Sequence, residues 1–349
     1  MVLGFLIISN SNDLFIVFLG FETQSFSFIV LLSSSKKEFE NVEGGLKYFI
    51  VGVLSSIFFL VGYLLLWADN PYSSSFLSFD KKNTGWIFIL MSVLTKLGSA
   101  PLHFWVVDVL ESSTWPLFLI FSIIPKISLI FFLLKTLSWT EIFDVIALAS
   151  LIFGLVGALN QTKIKRLIAY SNVANLGLIL LLIKIGNLHN IQPLILFLTV
   201  YFINLIVIIL LLKWTQLSNN PFIINLNKSL NNLLPMFTLG MVFLSVGGVP
   251  PLSGFIAKWV LITNLISNHY YFQSVVIIFL SILTIIYYLS ISYTLFLKKI
   301  PNFNKWESII INQDPIPYEK LIFTAFLTFL TLTSAFMVGF YGNLLILFL

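Results

Sequence analysis

Long apolar runs separated by short polar segments follow one another along the chain. Most of the runs hold about 20 residues, the length that a helix needs to cross the hydrocarbon core of a bilayer. Segments rich in turn formers and charges separate them, such as "SSSKKEFENVEGG" and "DNPYSSSFLSFDKKN". The pattern predicts an all-α polytopic membrane protein with about ten or eleven transmembrane helices. The apolar runs lie at residues 13–34, 44–68, 84–108, 115–137, 141–159, 166–186, 192–214, 232–267, 272–297 and 320–347, with a short stub at 1–10.

The composition supports a single transmembrane domain over residues 1–349. Hydrophobic residues make up 58% of the chain and charged residues 9%, whereas soluble domains are roughly a quarter charged. The length permits two soluble domains, but the apolar runs repeat from one end to the other. The formal net charge is +5, and nearly all basic residues fall in short loops. Membrane topology therefore explains the charge better than a nucleic-acid partner does.

Basic residues are distributed unevenly between the two sides of the predicted membrane domain. The positive-inside rule places the side richer in lysine and arginine in the cytoplasm or the matrix. We expect the C-terminus to face the opposite compartment. The richer side holds Lys36, Lys37, Lys163, Lys165, Arg166, Lys213, Lys228, Lys298, Lys299, Lys305 and Lys320, and the other side holds Lys81, Lys82, Lys135 and Lys184.

The side chains that usually hold redox cofactors are scarce. The chain has no cysteine and three histidines, which excludes disulfides, thiolate-held iron–sulfur clusters and cysteine-based zinc sites. Only His103 lies near a hydrophobic run, so two intramembrane histidines for a haem are not available. We therefore expect no redox cofactor in this chain.

Four ionisable residues lie deep inside the predicted spans: Glu22, Lys96, Lys126 and Lys258. A charge at the centre of a membrane helix costs about 2.5–3.5 kcal/mol on insertion scales. Such residues are expected to face the protein interior, to pair, or to line water. Lys47 lies one turn inside its span, where it is either a fifth member of the set or a lysine that reaches the interface.

Three lysines and one glutamate suit proton transfer. Burial favours the neutral form of a lysine, whereas a nearby carboxylate favours the charged form. A lysine under both influences changes its charge when its carboxylate approaches or withdraws. The alternative is a static buried ion pair. A sodium site is disfavoured, because it would prefer several carboxylates and the spans hold one deep carboxylate.

Helix-breaking residues lie beside two of the deep lysines. Proline removes a backbone donor and clashes with the preceding turn, and non-helical backbone at membrane depth is tolerated only inside protein or beside water. The sequence therefore predicts two broken helices with polar, hydrated interruptions; ordinary proline kinks are the alternative. The breaking residues are Gly98 and Pro101 after Lys96, and Gly247, Gly248, Pro250, Pro251 and Gly254 before Lys258.

Similar spacings indicate a weak internal repeat. Pro101 and Pro250 are 149 residues apart, and Glu22 and Asn175 are 153 apart. Two pseudo-symmetric five-helix repeats, at about 1–137 and 141–297, would explain both, with a C-terminal helix at 320–347. Interrupted segments at matching positions of two halves indicate a transporter site.

Acidic residues follow the first predicted break. Asp108 and Glu111 either collect protons at its mouth or belong to a solvated loop.

Four motifs together resemble one known family. "LKYFIVG", "KLGSAPLHFWVVDV", "GALNQTKIKRLIAYSNVANLG" and "LSVGGVPPLSGFIAKW" occur in this order. They resemble the NADH dehydrogenase subunit 2 family of mitochondrial respiratory complex I, over about residues 4–270. The last two predicted helices match in hydropathy only. That family resembles cation/proton antiporters, so the resemblance implies an antiporter-like fold, shortened here at the N-terminus.

The resemblance also implies roles for individual residues. Glu22 and Lys96 match the coupled pair, Lys126 the central relay lysine and Lys258 the terminal lysine on the second broken helix. Lys47 and His103 match the lysine of a "KYF" motif and the histidine of a "P-x-H-x-W" motif, and both would support the path. The resemblance implies that His103 either helps to relay protons or shapes the break. Two positions depart from the family: Val107 replaces a proline, and Asn175 replaces a histidine found in many relatives.

The expected function is that of a proton-translocating subunit in the membrane arm of complex I, an enzyme that oxidises NADH with ubiquinone. This chain would carry no redox chemistry; FMN, iron–sulfur clusters and ubiquinone would belong to other subunits. Its partners would be other membrane-arm subunits, including antiporter-like neighbours, and lipids of the mitochondrial inner membrane, with no nucleic acid. Basic loops would face the matrix and the C-terminus the intermembrane space. The alternatives are a stand-alone cation/proton antiporter and a structural membrane subunit that does not pump.

Overall fold

The computed structural model describes residues 1–34, 39–69, 84–136, 141–185, 191–214, 233–250 and 252–296. Within these ranges the regular structure is twelve α-helices with no β-strand, which confirms the all-α prediction. Pro251 and the predicted helix at 320–347 lie outside the described residues. The helices are α1 (Val2–Asn10), α2 (Leu14–Ser34), α3 (Phe39–Asp69), α4 (Thr84–Leu97), α5 (Phe104–Ser112), α6 (Trp115–Thr136), α7 (Glu141–Leu159), α8 (Ile164–Ile185), α9 (Gln192–Trp214), α10 (Leu233–Gly247), α11 (Ser253–Ser267) and α12 (Tyr271–Phe296).

Six of the described helices are long and apolar enough to cross a membrane, so the chain is a multi-pass membrane protein. Several other apolar helices are shorter, and in two of the predicted runs glycine and proline interrupt the helix. The run at 84–108 is divided between α4 and α5, and the run at 232–267 between α10 and α11. The spanning segments are Leu14–Ser33, Asn41–Ala68, Trp115–Thr136, Ile164–Ile185, Gln192–Lys213 and Tyr271–Phe296.

Two helices extend further than the apolar pattern predicts. α3 begins at Phe39, ahead of the predicted start at residue 44, and Glu43 and Lys47 form an i,i+4 ion pair in its first turns. Such a pair stabilises helical residues that lie ahead of the apolar run. α5 continues to Ser112, so Asp108 and Glu111 lie in a helix and not in a loop.

Residues Met1–Gln161 and Lys165–Leu194 form one compact unit. In this unit α3 and α4 cross at two facing glycines. A β-carbon on Gly62 would lie 2.6 Å from the Gly85 carbonyl oxygen, and one on Gly85 would lie 2.7 Å from the Gly62 carbonyl oxygen. Close backbone approach at small residues is the usual way in which membrane helices associate. α8 is the most buried span of the chain's described part, and α3 is the least buried.

Residues Thr162–Ile164 and the described residues from Ile195 onward form the second compact unit. Here α10 packs against α12: the ring of Phe243 stacks on Tyr288, and the ring of Phe296 covers Gly240. The compact units divide near residue 194, whereas the predicted repeats divide near residue 140. The repeats therefore stay a prediction.

Candidate functional site

The first helix break is a glycine C-cap at the end of α4. Gly98 has φ +72°, its N–H donates to the Thr95 carbonyl at 3.1 Å, and the Ser99 N–H donates to the Leu94 carbonyl at 3.1 Å. These two bonds define a Schellman motif, which requires a left-handed residue that glycine adopts without strain. A β-carbon on Gly98 would also lie 2.0 Å from a methyl carbon of Val106. Pro101 follows in the segment before α5.

The second break repeats that device at the end of α10. Gly248 has φ +90°, its N–H donates to the Ser245 carbonyl at 2.9 Å, and the Val249 N–H donates to the Leu244 carbonyl at 3.1 Å. The two positive-φ glycines, Gly98 and Gly248, are 150 residues apart. This glycine spacing is one residue longer than the 149-residue spacing between Pro101 and Pro250. When the two breaks are aligned on their glycines, Pro250 therefore does not fall opposite Pro101.

The structure brings Glu22 and Lys96 together. Lys96 lies in the last turn of α4, and its Nζ is 2.9 Å from Glu22 Oε1 on α2. The two side chains are only 12% and 20% exposed. Ser25 donates a hydrogen bond of 3.3 Å to the other carboxylate oxygen, and the ring of Phe21 lies 5.3 Å from the ammonium group. The pair is therefore an ion contact between two helices, mostly shielded from the surroundings.

Lys126 lies in the interior of the first unit, on α6, with 6% of its surface exposed. Pro125 precedes it inside the helix and supplies no backbone N–H at this point. Two residues further along, Ser128 donates a 2.8 Å hydrogen bond to Gln24 of α2. A polar contact thus links α6, next to its buried lysine, with the helix that carries Glu22.

Lys258 lies directly behind the second break and is 8% exposed. Its Nζ donates to the Gly247 carbonyl oxygen at 2.8 Å and to the Thr284 hydroxyl oxygen at 2.9 Å. It forms no ion pair with any described residue. Thr284, on α12, is a contact that the sequence patterns did not indicate.

Lys47 and Asp108 belong to a charged cluster made of Glu43, Lys47, Asp108, Glu111 and Arg166. Lys47 Nζ lies 3.0 Å from Glu43 Oε1 and 3.2 Å from Asp108 Oδ2. Arg166 lies 3.8 Å from the other Asp108 oxygen and also contacts Glu111. Lys47 and Asp108 are 42% and 41% exposed. Lys47 is therefore a partly exposed lysine whose described ion-pair partners are Glu43 and Asp108, and not Glu22.

His103 lies at the first break, immediately before α5, and is 3% exposed. Its ring packs among Phe104, Phe153 and Tyr170. Among the described residues, no hydrogen-bond partner reaches its Nδ1. The contacts favour the predicted role in shaping the break. Asn175 lies half-buried on α8.

A second shielded ion pair, between Asp144 of α7 and Lys184 of α8, was missed by the sequence analysis. The side chains are 19% and 12% exposed, close to the values for Glu22 and Lys96. The sequence analysis counted Lys184 only as a basic residue on the poorer side of the membrane domain. A usable signal was present, because both residues lie within predicted spans joined by a short connection, which makes their far ends neighbours.

Comparison with known proteins identifies the family. The model of the "NADH:quinone oxidoreductase/Mrp antiporter, TM" family matches residues 11–284. A chain of the respiratory complex I structure from Thermus thermophilus with bound aureothin has the same fold, with a TM-score of 0.80 and 22% identity. The match covers 97% of this chain and 76% of that one.

Two relatives carry names from the same enzyme. NADH-quinone oxidoreductase subunit N of Pelagibacter ubique is 30% identical over 317 residues, which cover 85% of this chain and 67% of that protein. NADH-ubiquinone oxidoreductase chain 2 of Metridium senile is 28% identical over 304 residues, which cover 83% of this chain and 79% of that protein. The chain spans about two thirds of the length of the bacterial relatives. The chain belongs to the NADH:quinone oxidoreductase/Mrp antiporter transmembrane family, and within it resembles the antiporter-like subunits of complex I.

Proposed function

We propose that the chain is a proton-translocating subunit of the membrane arm of respiratory complex I. Oxidation of NADH by ubiquinone elsewhere in the complex would drive proton transfer through Glu22, Lys96, Lys126 and Lys258. The names of the relatives and the family match support the enzyme. The observation that carries the proton-transfer role is the shielded Glu22–Lys96 contact of 2.9 Å.

The pair works as a switch because the charge on Lys96 depends on the distance to Glu22. Two unit charges about 4 Å apart attract by about 4 kcal/mol at an effective dielectric constant near 20. That energy corresponds to a change of about a thousandfold in the proton affinity of the lysine. Withdrawal of Glu22 would therefore release the proton of Lys96, and its return would favour reprotonation. No cofactor is needed in this chain for that step.

The other two lysines continue the path in this proposal. Lys126 and Lys258 are both at least nine-tenths buried, and membrane proteins keep such costly residues where ions or protons move. The released proton passes Lys126 towards Lys258. Lys47 and Asp108 stabilise the exposed end of the first unit, and His103 fixes the shape of the first break.

The location and partners follow from the same proposal. The bias of basic residues, about eleven against four, supports loops facing the matrix and a C-terminus facing the intermembrane space. The resemblance of the four sequence motifs to the mitochondrial NADH dehydrogenase subunit 2 family is the ground for proposing a mitochondrial inner-membrane location. Other membrane-arm subunits, including antiporter-like neighbours, and lipids would contact the chain. FMN, iron–sulfur clusters and ubiquinone would be held by other subunits.

The function is tested with the complex purified from cells that carry Lys96→Met. The complex is reconstituted in vesicles, and protons moved per NADH oxidised are measured after assembly has been checked. The matched control is Lys213→Met, which removes an exposed lysine from the last turn of α9. We expect pumping to be lost in the first variant and retained in the control. Unchanged pumping in assembled Lys96→Met complex would contradict the proposal and favour the alternative of a structural subunit that does not pump.

A second measurement separates the complex I subunit from a stand-alone antiporter. An affinity tag on this chain is used for purification from mild detergent. A subunit brings down a large assembly that oxidises NADH with ubiquinone. Recovery of the chain without that activity, together with cation/proton exchange in vesicles, would contradict the proposal.

A further inference from the structure

Lys258 is the one formally charged side chain on the three helices of the second break. α10 and α12 have no aspartate, glutamate, lysine or arginine, and α11 has Lys258 alone. The other titratable side chains on these helices are tyrosines of α12. Tyr287 and Tyr288 are buried, and the β-carbon of Tyr288 lies 3.4 Å from the β-carbon position of Gly247. Neutral dipoles therefore stabilise Lys258.

The Thr284 hydroxyl has three polar neighbours. Its oxygen lies 2.9 Å from Lys258 Nζ, 2.9 Å from the Gly247 carbonyl oxygen and 2.6 Å from the Ser281 carbonyl oxygen. A hydroxyl has one hydrogen to donate and lone pairs that accept. It can therefore point its hydrogen at either carbonyl, or at the lysine nitrogen, but at one of them at a time.

The Gly247 carbonyl and the Thr284 hydroxyl differ in the hydrogen bonds that they can form with charged and with neutral Lys258. Charged Lys258 donates hydrogen bonds to Gly247 and Thr284. Neutral Lys258 has a lone pair, and a carbonyl oxygen cannot donate to it. The Thr284 hydroxyl can, if it turns from a carbonyl towards the nitrogen. Of the described contacts of Lys258, Thr284 is therefore the one that can accept a hydrogen bond from the charged lysine and donate one to the neutral lysine.

We propose that Thr284 is a positioning residue that keeps the proton of Lys258 exchangeable. The inference rests on the proposed function and adds a residue to it. Lys258 gives its proton to the next carrier, a water molecule or a titratable group of the complex. The Thr284 hydroxyl keeps its own proton throughout and only changes the atom to which it points. Its contact with Gly247 also ties the lysine and α12 to the break, so movement of α12 changes the surroundings of Lys258.

The test uses intact complex with four variants of this chain. Thr284→Val has nearly the same shape without the hydroxyl, and Thr284→Ser keeps the hydroxyl. Thr263→Val is the matched control, because Thr263 lies on α11 and its hydroxyl bonds, within the described part of the chain, only the Val260 carbonyl of its own helix. Lys258→Met reports whether the lysine itself is needed. NADH-driven proton pumping is recorded as a function of pH, with assembly measured in each case.

We expect Thr284→Val to lower coupled turnover about tenfold, the effect of losing one hydrogen bond to a charged group. Its pH profile should move towards lower pH, because that bond favours charged lysine more than neutral lysine. Thr284→Ser should restore both rate and profile, and Thr263→Val should match the unmodified complex. A normal pH profile and rate in Thr284→Val beside an inactive Lys258→Met would overturn this inference alone. An active Lys258→Met would overturn the role of Lys258 in the proposed function.

Discussion

The two helix breaks use the same backbone cap but hold their lysines in opposite surroundings. Both preceding helices end with a Schellman motif around a positive-φ glycine, Gly98 or Gly248. At the first break the lysine precedes the glycine and contacts a carboxylate at 2.9 Å. At the second break the lysine follows the glycine and contacts a carbonyl and a hydroxyl at 2.8 and 2.9 Å.

The difference separates two tasks that a proton path needs. A carboxylate favours charged lysine strongly, so moving the carboxylate changes the charge on Lys96. Neutral oxygens favour charged lysine weakly, so in the proposed path Lys258 would gain and lose a proton at small cost. The first break therefore suits a driven switch, and the second suits a passive transfer point.

The largest effect is expected for Glu22→Gln, which replaces the carboxylate beside Lys96 with a neutral amide, so that both lysines would contact neutral groups. Removing one partner of a shielded pair leaves the other charge without compensation. We expect coupled turnover to fall by well over tenfold, measured as NADH-driven pumping of assembled complex. Glu43→Gln is the control, since Glu43 pairs with Lys47 but is 54% exposed. Equal losses of coupled turnover in both variants would contradict the claim that shielding of the Glu22–Lys96 pair matters for pumping.

A smaller loss is expected for Thr284→Asp, which gives the second break a carboxylate like the first. The new ion pair should hold Lys258 in its charged form, so we expect turnover to fall about tenfold while assembly is retained. Thr284→Asn has the same shape without the charge and should lose less. If the two substitutions give the same pumping rate, charge at this position does not govern transfer.

The two cap glycines should differ in how they tolerate alanine. Left-handed backbone costs an alanine about 1–2 kcal/mol at either site. Gly98→Ala would also force its β-carbon to 2.0 Å from Val106, whereas the nearest atom to a β-carbon on Gly248 is 3.0 Å away, on the flexible Lys258 side chain. We expect Gly98→Ala to lower the assembled fraction of the complex more than Gly248→Ala does.

The control for both caps is Gly52→Ala on α3. A β-carbon on Gly52 meets nothing within 4 Å, and a helical alanine is favoured over glycine. Assembly and thermal stability should be unchanged or slightly higher. Equal assembly of all three variants would show that the caps do not fix the breaks.

The smallest effect is expected for Asp108→Asn. Asp108 and Lys47 are both about two-fifths exposed, and ion pairs near the surface contribute about 0–1 kcal/mol. Coupled turnover should stay within about twofold of the unmodified complex. A loss as large as that of Glu22→Gln would instead place Asp108 in the proton path.

Much of this site is predictable from the sequence, because it depends on rare residues in apolar runs. Charges inside spans mark Glu22, Lys96 and Lys126, and glycine with proline marks both breaks. Those features follow from insertion cost and backbone sterics, which act along the chain. The resemblance to a known family adds the pairing of Glu22 with Lys96.

The contacts that sequence reasoning missed depend on how helices are rotated about their axes. A threonine in a helix ordinarily bonds its own backbone, as Thr263 does, so nothing in the sequence singled out Thr284. Lys184 lies near a helix end, where a lysine ordinarily indicates topology, and only the structure shows that Asp144 of the preceding helix pairs with it. The ends of α3 and α5 were missed because ion pairs and polar turns extend helices beyond their apolar cores.

A double variant tests most directly whether Glu22 and Lys96 form a transfer element or a structural pair. Glu22→Gln with Lys96→Met removes both charges, which often leaves stability unchanged or higher when a buried pair is replaced. Protons pumped per NADH are compared in assembled complex with each single variant and the unmodified protein. The proposed mechanism predicts that the double variant assembles but does not pump. Pumping at the unmodified ratio in the double variant would contradict it. Protons would then be pumped without either charge of the pair, so the Glu22–Lys96 pair could not be the switch.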